Sequence, residues 1–238
     1  MSQTMSPAMK KAKQYHAWQW DLIKPFVGKR VLEAGAGFGQ YTRLLHSHGC
    51  EIMVVDNEAS HFQDILKDAP RTVCQKLDLC AEKELATAIK NFSPESIILQ
   101  NVLEHIYDDE KLLLLLFQNS IPGACLILIV PSGPLLYNQL DRDAGHFRRY
   151  KKVEILRKIS AAGWEARQCT YFNLLGTAGW LLAGCLSVFQ KKKNSLQGGG
   201  INFLIQKFDK YLTRISRWID ALTGNRAGLS LFCVAFKR

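Results

Sequence analysis

The chain has 238 residues, 47% of them hydrophobic and 22% charged, with a formal net charge of +10. That is long enough to bury the core of one α/β domain and too apolar for global disorder. From Lys191 onward ten Lys and Arg stand against only Asp209 and Asp220, while the preceding residues are nearly balanced. The body is close to neutral and the tail is basic, which suits an anionic partner or, more blandly, a solvated basic helix.

The N-terminal run MSQTMSPAMKKAKQYHAWQW has no apolar stretch ahead of its charges, so no secretory signal is expected. Seven cysteines, at 50, 74, 80, 125, 169, 185 and 233, include no C-x-x-C pair. A zinc or iron–sulfur site built on thiolates is therefore not expected, and the usage fits a reducing cytoplasm.

In chain order, short apolar runs alternate with helical patterns. Strands are predicted at about 30–34 (RVLEA), 51–55 (EIMVV), 72–77, 96–100 (SIILQ) and 124–130 (ACLILIV), with helices at about 39–48, 58–68, 81–91 and 105–119. Continuous apolar strands separated by helices imply a parallel sheet covered on both faces. A polar loop runs from Pro131 to Arg149, then a helix at about 151–162 that ends at Gly163. WEARQCTYF and the closing LSLFCVAFKR read as two more strands, with Lys191–Gly200 as a linker and a helix at about 201–222 between them. The expected organisation is one domain over 1–238, with an N-terminal helical cap at 1–27 and an apolar and basic helical insert at 171–228.

The segment Val31-Leu-Glu-Ala-Gly-Ala-Gly-Phe-Gly39 follows a strand and opens a helix. Its glycines let the backbone turn sharply and approach a ligand closely. The dinucleotide pattern G-x-G-x-x-G is not met, because Gln40 stands at its third glycine. Glu33, ending the strand, would repel a pyrophosphate but suits a cationic ligand such as an amino acid's ammonium group.

This stretch resembles motif I, [DE]-x-G-x-G-x-G, of class I S-adenosylmethionine-dependent methyltransferases. The resemblance covers about residues 28–170. It implies a Rossmann-like, doubly wound, mostly parallel seven-stranded sheet with an antiparallel last strand and a helical insert before it. It implies S-adenosyl-L-methionine as cofactor, held by Glu33, Gly35, Gly37 and Gly39. Asp56, 21 residues after Gly35, would bind the ribose hydroxyls. Asp78 and Leu79 would contact adenine, and Asn101 would face the cofactor. Some quinone-biosynthesis O-methyltransferases place acids and a His in the post-strand segment as metal ligands. Asn101 stands where that pattern has Glu, so no metal is expected. Glu104 and His105 read as the start of a helix, where acids are favoured.

On the acceptor side, Asp141-Arg-Asp-Ala-Gly-His-Phe-Arg-Arg-Tyr150 resembles a loop in a subgroup considered alongside polysaccharide and lipid-glycan enzymes. There His146 is the candidate catalytic base, and Arg148, Arg149 and Tyr150 the candidate acceptor-binding residues, since guanidinium groups match phosphate and carboxylate. The competing reading is that Asp141 and Asp143 pair with the two arginines to fix the loop.

Residues 169–189 carry no charge, and length alone would allow a membrane span. A single crossing would separate the last strand from its sheet, so a buried or interfacial segment is expected instead. Over 201–222 apolar residues recur at helical spacing opposite Lys207, Lys210, Arg214 and Arg217. That pattern suits a helix lying in an anionic headgroup layer, or equally a lid packed on the protein's own core. The leading expectation is O-methylation of a lipid-linked, glycan or other amphiphilic acceptor at the cytoplasmic membrane face. A soluble small-molecule O-methyltransferase of the quinone or secondary-metabolite type and a non-catalytic cofactor-binding membrane protein are the alternatives. No nucleic-acid partner is expected, because Asn101-Val-Leu-Glu replaces the N/D-P-P-Y of amino-methylating enzymes.

Overall fold

Seven strands form one sheet in the order β3-β2-β1-β4-β5-β7-β6. The computed structural model describes residues 12–189 and 206–238. The strands are β1 (Arg30–Ala34), β2 (Glu51–Asp56), β3 (Val73–Lys76), β4 (Ser96–Gln100), β5 (Cys125–Pro131), β6 (Glu165–Phe172) and β7 (Ser230–Phe236). β1 to β5 pair in parallel, and β7 runs antiparallel between β5 and β6. The expected fold class, with its antiparallel last strand after a helical insert, is what the chain adopts.

The period-2 alternation of a strand sends neighbouring residues to opposite faces. Leu32, Ile97, Leu99, Leu126, Leu128 and Val130 enter one core layer. Val31, Ile98, Cys125, Ile127 and Ile129 enter the other. Because both faces are covered, β4 is apolar through Ile97, Ile98 and Leu99 and β5 is apolar along its whole length. The first layer is closed by α4 (Glu82–Phe92), α5 (Asp109–Asn119) and α7 (Lys152–Ala161). The second is closed by α1 (Lys13–Ile23), α2 (Gln40–Ser47) and α3 (Phe62–Asp68).

Strand order reverses between β1 and β4, and the crevice beyond the carboxyl ends there is where open α/β sheets bind ligands. The glycine loop follows β1 and Asn101 follows β4, so the two flank that crevice. The helix expected from about 105 begins only at Asp109, where the Asp108 side chain accepts the Lys111 amide. Leu103–His105 form instead a single 3-10 turn. The polar loop after β5 contains a short helix, α6 (Gln139–Ala144), opened by a capping box between Asn138 and Asp141.

The uncharged stretch is not one element. Cys169 to Phe172 complete β6, and α8 (Leu174–Phe189) begins after Asn173, whose φ of +64° turns the chain. Among the described residues no helix is long and apolar enough to cross a membrane. Residues 206–222 are helical, with a π-turn at Phe208–Leu212 leading into α9 (Thr213–Leu222). Residues 1–11 of the expected cap, the 191–200 linker and 201–205 of the expected helix lie outside the described residues.

The orientation of α9 is opposite to that of a lid. Thr213, Ser216 and Asp220 point inward and are buried, while Tyr211, Ile215, Trp218 and Leu222 are exposed, Trp218 at 65%. Asp220 anchors the helix, because its carboxylate accepts the amides of Asn173 and Leu174 at the start of α8. Ser216 donates to the Asn173 side chain at 3.2 Å. Asp21 of α1 pairs with Arg217 at 2.7 Å. The polar inner face thus docks through hydrogen bonds, and the apolar stripe is left facing outward.

Candidate active site

The β1–α2 loop places Gly35, Gly37 and Gly39 at φ of +75°, +51° and +72°, a region costly for residues with a Cβ. The Gly35 amide donates to Val55 of β2 at 2.8 Å, and a Cβ at Gly35 would lie 2.5 Å from Val102 after β4. The loop is therefore pressed between the ends of β2 and β4. Asp56 braces it as well: its Oδ2 accepts the Gly37 amide at 3.2 Å and its Oδ1 accepts the Glu58 amide at 2.9 Å. A carboxylate has about four acceptor sites, so Asp56 keeps capacity for a diol while holding the loop.

Glu33 points to the α2 face of the sheet, where the Thr42 hydroxyl donates to its Oε2 at 2.6 Å. Only 3% of Glu33 is exposed, and burial pushes its carboxyl up to about 8. Gln40, at the position of the missing third glycine, has a buried Nε2 without a partner. An orphaned donor there and a buried carboxyl whose ionised form a neighbouring cation would favour both fit a ligand with acceptors and an ammonium group. Asp78 is exposed, and its Oδ1 accepts the Cys80 amide at 2.9 Å. The Leu79 side chain lies in the core, so any ligand contact from it is made by backbone. Asn101 has a φ of +51°, and its amide is held by Ile129 of β5 at 2.8 Å.

The acceptor-side loop folds back onto the end of β5 and onto Glu104. Tyr150 donates its amide to Pro131, Gly133 donates to Tyr150, and Phe147 donates to the Glu104 carbonyl, all within 3.0 Å. Asp141 is the buried hub. It accepts from Arg149 Nε at 2.9 Å, from His146 Nδ1 at 2.9 Å and from the Asn138 amide at 3.0 Å. Its carboxyl titrates below the usual range; desolvation is the largest influence and raises it, but the bonds from His146 and Arg149 together outweigh that. An ionised Asp141 can only accept, so His146 must carry its proton on Nδ1, which leaves the Nε2 lone pair free.

Arg149 and Tyr150 are both turned inward. The Arg149 side chain also donates to Ser132 at 3.2 Å and stacks on Trp180. The Tyr150 hydroxyl donates to buried Asp109 at 2.9 Å. Arg148 pairs with Asp109 at 3.2 Å and donates to the Tyr107 carbonyl at 2.7 Å, and a quarter of its side chain is exposed. Of the three expected acceptor contacts, Arg148 alone keeps solvent-facing donors. Asp143 bonds Gln139, so the loop-fixing pairs are Asp141 with Arg149 and Asp109 with Arg148.

Glu104 and His105 gain a partner that chain distance hid. Glu104 is fully buried, and neither carboxylate oxygen has a hydrogen-bond partner. Burial pushes its carboxyl up to about 7. His146 Nε2 lies 3.8 Å from Glu104 Oε1, and the His105 and His146 rings meet edge to face at 4.7 Å. No sequence spacing links residues 104 and 105 to 146; the β5–α7 loop brings them together.

Neither a protein-family model nor a curated protein sequence matches this chain. Solved structures do. One is an S-adenosylmethionine-dependent methyltransferase from Mesorhizobium loti, at 12% identity and a TM-score of 0.60, covering 92% of this chain and 97% of that one. The chain has the methyltransferase fold. A second neighbour is the N-methyltransferase NodS from Bradyrhizobium japonicum in complex with S-adenosylhomocysteine, at 11% identity and a TM-score of 0.54, covering 98% and 88%. A third is the [4+2]-cyclase SpnF, at 14% identity and a TM-score of 0.58, covering 92% and 80%. One fold thus carries different reactions, and the reaction here has to be argued from the site.

Proposed function

We propose that this protein transfers a methyl group from S-adenosylmethionine to a hydroxyl of an amphiphilic acceptor, lipid-linked or glycan-bearing, at the cytoplasmic face of an anionic membrane. The observation that carries the reading is a juxtaposition. A braced G-x-G-x-G loop with a buried carboxyl and an Asp-oriented histidine stand at the same carboxyl edge of one sheet. When bound, S-adenosylmethionine supplies an electrophilic methyl on a sulfonium centre. Glu33 would balance its ammonium group, Asp56 would accept from the ribose hydroxyls, and the backbone at Asp78, Leu79 and Asn101 would border the rest.

On the other side Asp141 fixes the His146 ring and its tautomer, so Nε2 would be placed to take the acceptor's hydroxyl proton as that oxygen is methylated. Holding the reactants in line supplies the larger part of the rate, up to about 7–11 kcal/mol. The base adds about 10²–10⁴-fold. His146→Ala should lower turnover by that factor while leaving S-adenosylhomocysteine affinity unchanged. Near-normal turnover would return His146 to a structural role. Labelled S-adenosylmethionine incubated with fractionated cell extract identifies the acceptor: label in lipid or glycan supports the proposal, and label confined to small polar molecules favours a soluble enzyme.

The membrane face rests on α9. Burying Ile215, Trp218 and Leu222 in acyl chains would contribute about 1.5–3 kcal/mol each at most. Lys207, Lys210 and Arg214 would add about 1 kcal/mol each near an anionic surface. Co-sedimentation with phosphatidylglycerol vesicles should weaken with salt and with neutral lipid. It should be lost in Lys207/Lys210/Arg214→Gln and in Ile215/Trp218/Leu222→Ser. Arg217 is left in place because it pairs with Asp21. Wild-type protein that stays in the supernatant would refute the membrane contact.

A further inference from the structure

We infer that Glu104, His105 and His146 form a binding site for one divalent first-row transition ion, with Zn²⁺ as the best match. One possible ligand atom from each residue lies within 4.8 Å of those from the other two. Donors sharing one ion about 2.0–2.2 Å away stand roughly 3–4 Å apart, so the widest of the three separations has to close by no more than about 1–2 Å. His146 Nε2 and Glu104 Oε1 are already at 3.8 Å.

The supporting shell has the form that metal-binding histidines require. His146 Nδ1 faces the Asp141 carboxylate, both of whose oxygens accept from Arg149, at 2.9 Å, and His105 Nδ1 faces the Gly145 carbonyl at 3.3 Å. Both partners only accept, so both imidazoles donate through Nδ1 and keep the Nε2 lone pair, with ring orientation fixed from behind. Glu104 supplies the charge. Its two buried oxygens lack any hydrogen-bond partner among the described residues, an arrangement costing several kcal/mol for an ionised group unless a cation compensates it.

Two imidazoles with one carboxylate suit Zn²⁺, Mn²⁺ or Fe²⁺ rather than Mg²⁺ or Ca²⁺, which prefer oxygen cages. Three protein ligands leave at least one position open, as in catalytic rather than structural sites. An acceptor hydroxyl on that position would lose its proton to water at lower pH, because the ion stabilises the alkoxide. His146 Nε2 would then act as ligand instead of base. The site departs from the metal-free expectation because that expectation weighed only the segment after β4, and the third ligand comes from the loop after β5.

The test is titration of the full chain with Zn²⁺ by calorimetry, with Co²⁺ absorption as a report on the ligands. The expected result is one ion per chain at micromolar affinity or better, no displacement by equimolar Mg²⁺, and a Co²⁺ visible band without thiolate charge-transfer. Glu104→Gln and His105→Asn should each weaken binding at least about tenfold, with thermal unfolding confirming that both variants fold. Absence of stoichiometric binding would overturn the inference. So would binding unchanged in both variants, or a thiolate signature, which would place the ion on the free cysteines. The same samples are titrated with S-adenosylhomocysteine. Cofactor binding without metal binding removes this inference alone, whereas metal binding without cofactor binding removes the methyl-transfer proposal alone.

Discussion

Lowering the pH from 8 to 6 while titrating S-adenosylhomocysteine isolates what burial does to Glu33. Its carboxyl titrates at about 8 instead of its ordinary 4.5, chiefly through desolvation, against which the Thr42 hydroxyl works only partly. At about 1.4 kcal/mol per pH unit, ionising Glu33 in the empty pocket costs about 5 kcal/mol more than in water. A ligand that brings an ammonium group beside it favours the carboxylate, so binding must expel a proton wherever the empty pocket holds one. The ionised fraction is about one in ten at pH 7 and one in a hundred at pH 6. Apparent affinity falls by the same factor when only the ionised form is competent. Affinity should therefore rise about tenfold per pH unit from 6 to 8 and flatten above. Calorimetry in buffers of differing protonation enthalpy should count nearly one proton released per ligand at pH 6.5. Glu33→Gln should abolish both the slope and the proton release. A wild-type profile flat between pH 6 and 8, with no proton released, would refute the pairing of Glu33 with the ligand's cation.

The same carboxyl predicts the pH dependence of stability. Between pH 4.5 and 8 the folded chain holds a proton on Glu33 that the unfolded chain has lost, so this group lowers stability as pH rises through that window. Denaturant midpoints at pH 5 and 8 should differ less in Glu33→Gln than in wild type. Gly37→Val forces a β-branched residue to a φ of +51°, which should cost about 1–2 kcal/mol and abolish cofactor binding measured by calorimetry. Asp56→Ala should weaken S-adenosylhomocysteine binding by more than its hydrogen bonds to a diol, about 1.5–3 kcal/mol each, because the Gly37 brace is lost as well. Unchanged affinity in an Asp56→Ala protein that folds would remove Asp56 from the site. Arg149→Met strips one partner from a buried ion pair, worth about 3–5 kcal/mol, and should lower the melting temperature on the order of 10 °C. NAD should bind poorly in the same titrations; micromolar binding would favour a dinucleotide pocket.

Local pattern determined the fold. Apolar runs such as SIILQ and ACLILIV have no polar face to offer solvent, so they can only be strands of a sheet covered on both sides, and the helices between them force parallel pairing. The glycine spacing after β1 likewise announced a loop that few backbones can form, and Glu33 and Asp56 were legible because strand ends place them beside it. The roles within the loop after β5 were not legible. Composition showed acids, arginines, a histidine and a tyrosine close together. Only the folded chain sends Arg149 and Tyr150 inward to Asp141 and Asp109 and turns His146 toward Glu104. Those partners are long-range contacts, set by where β5 ends and how α6 caps itself, and no local periodicity encodes them. The helix at 213–222 makes the same point. Its amphipathic pattern was plain in the sequence, but a pattern fixes two faces without saying which one points in. That was decided by Asp220 and Ser216, whose hydrogen bonds to the start of α8 hold the polar face against the protein and leave Trp218 outside.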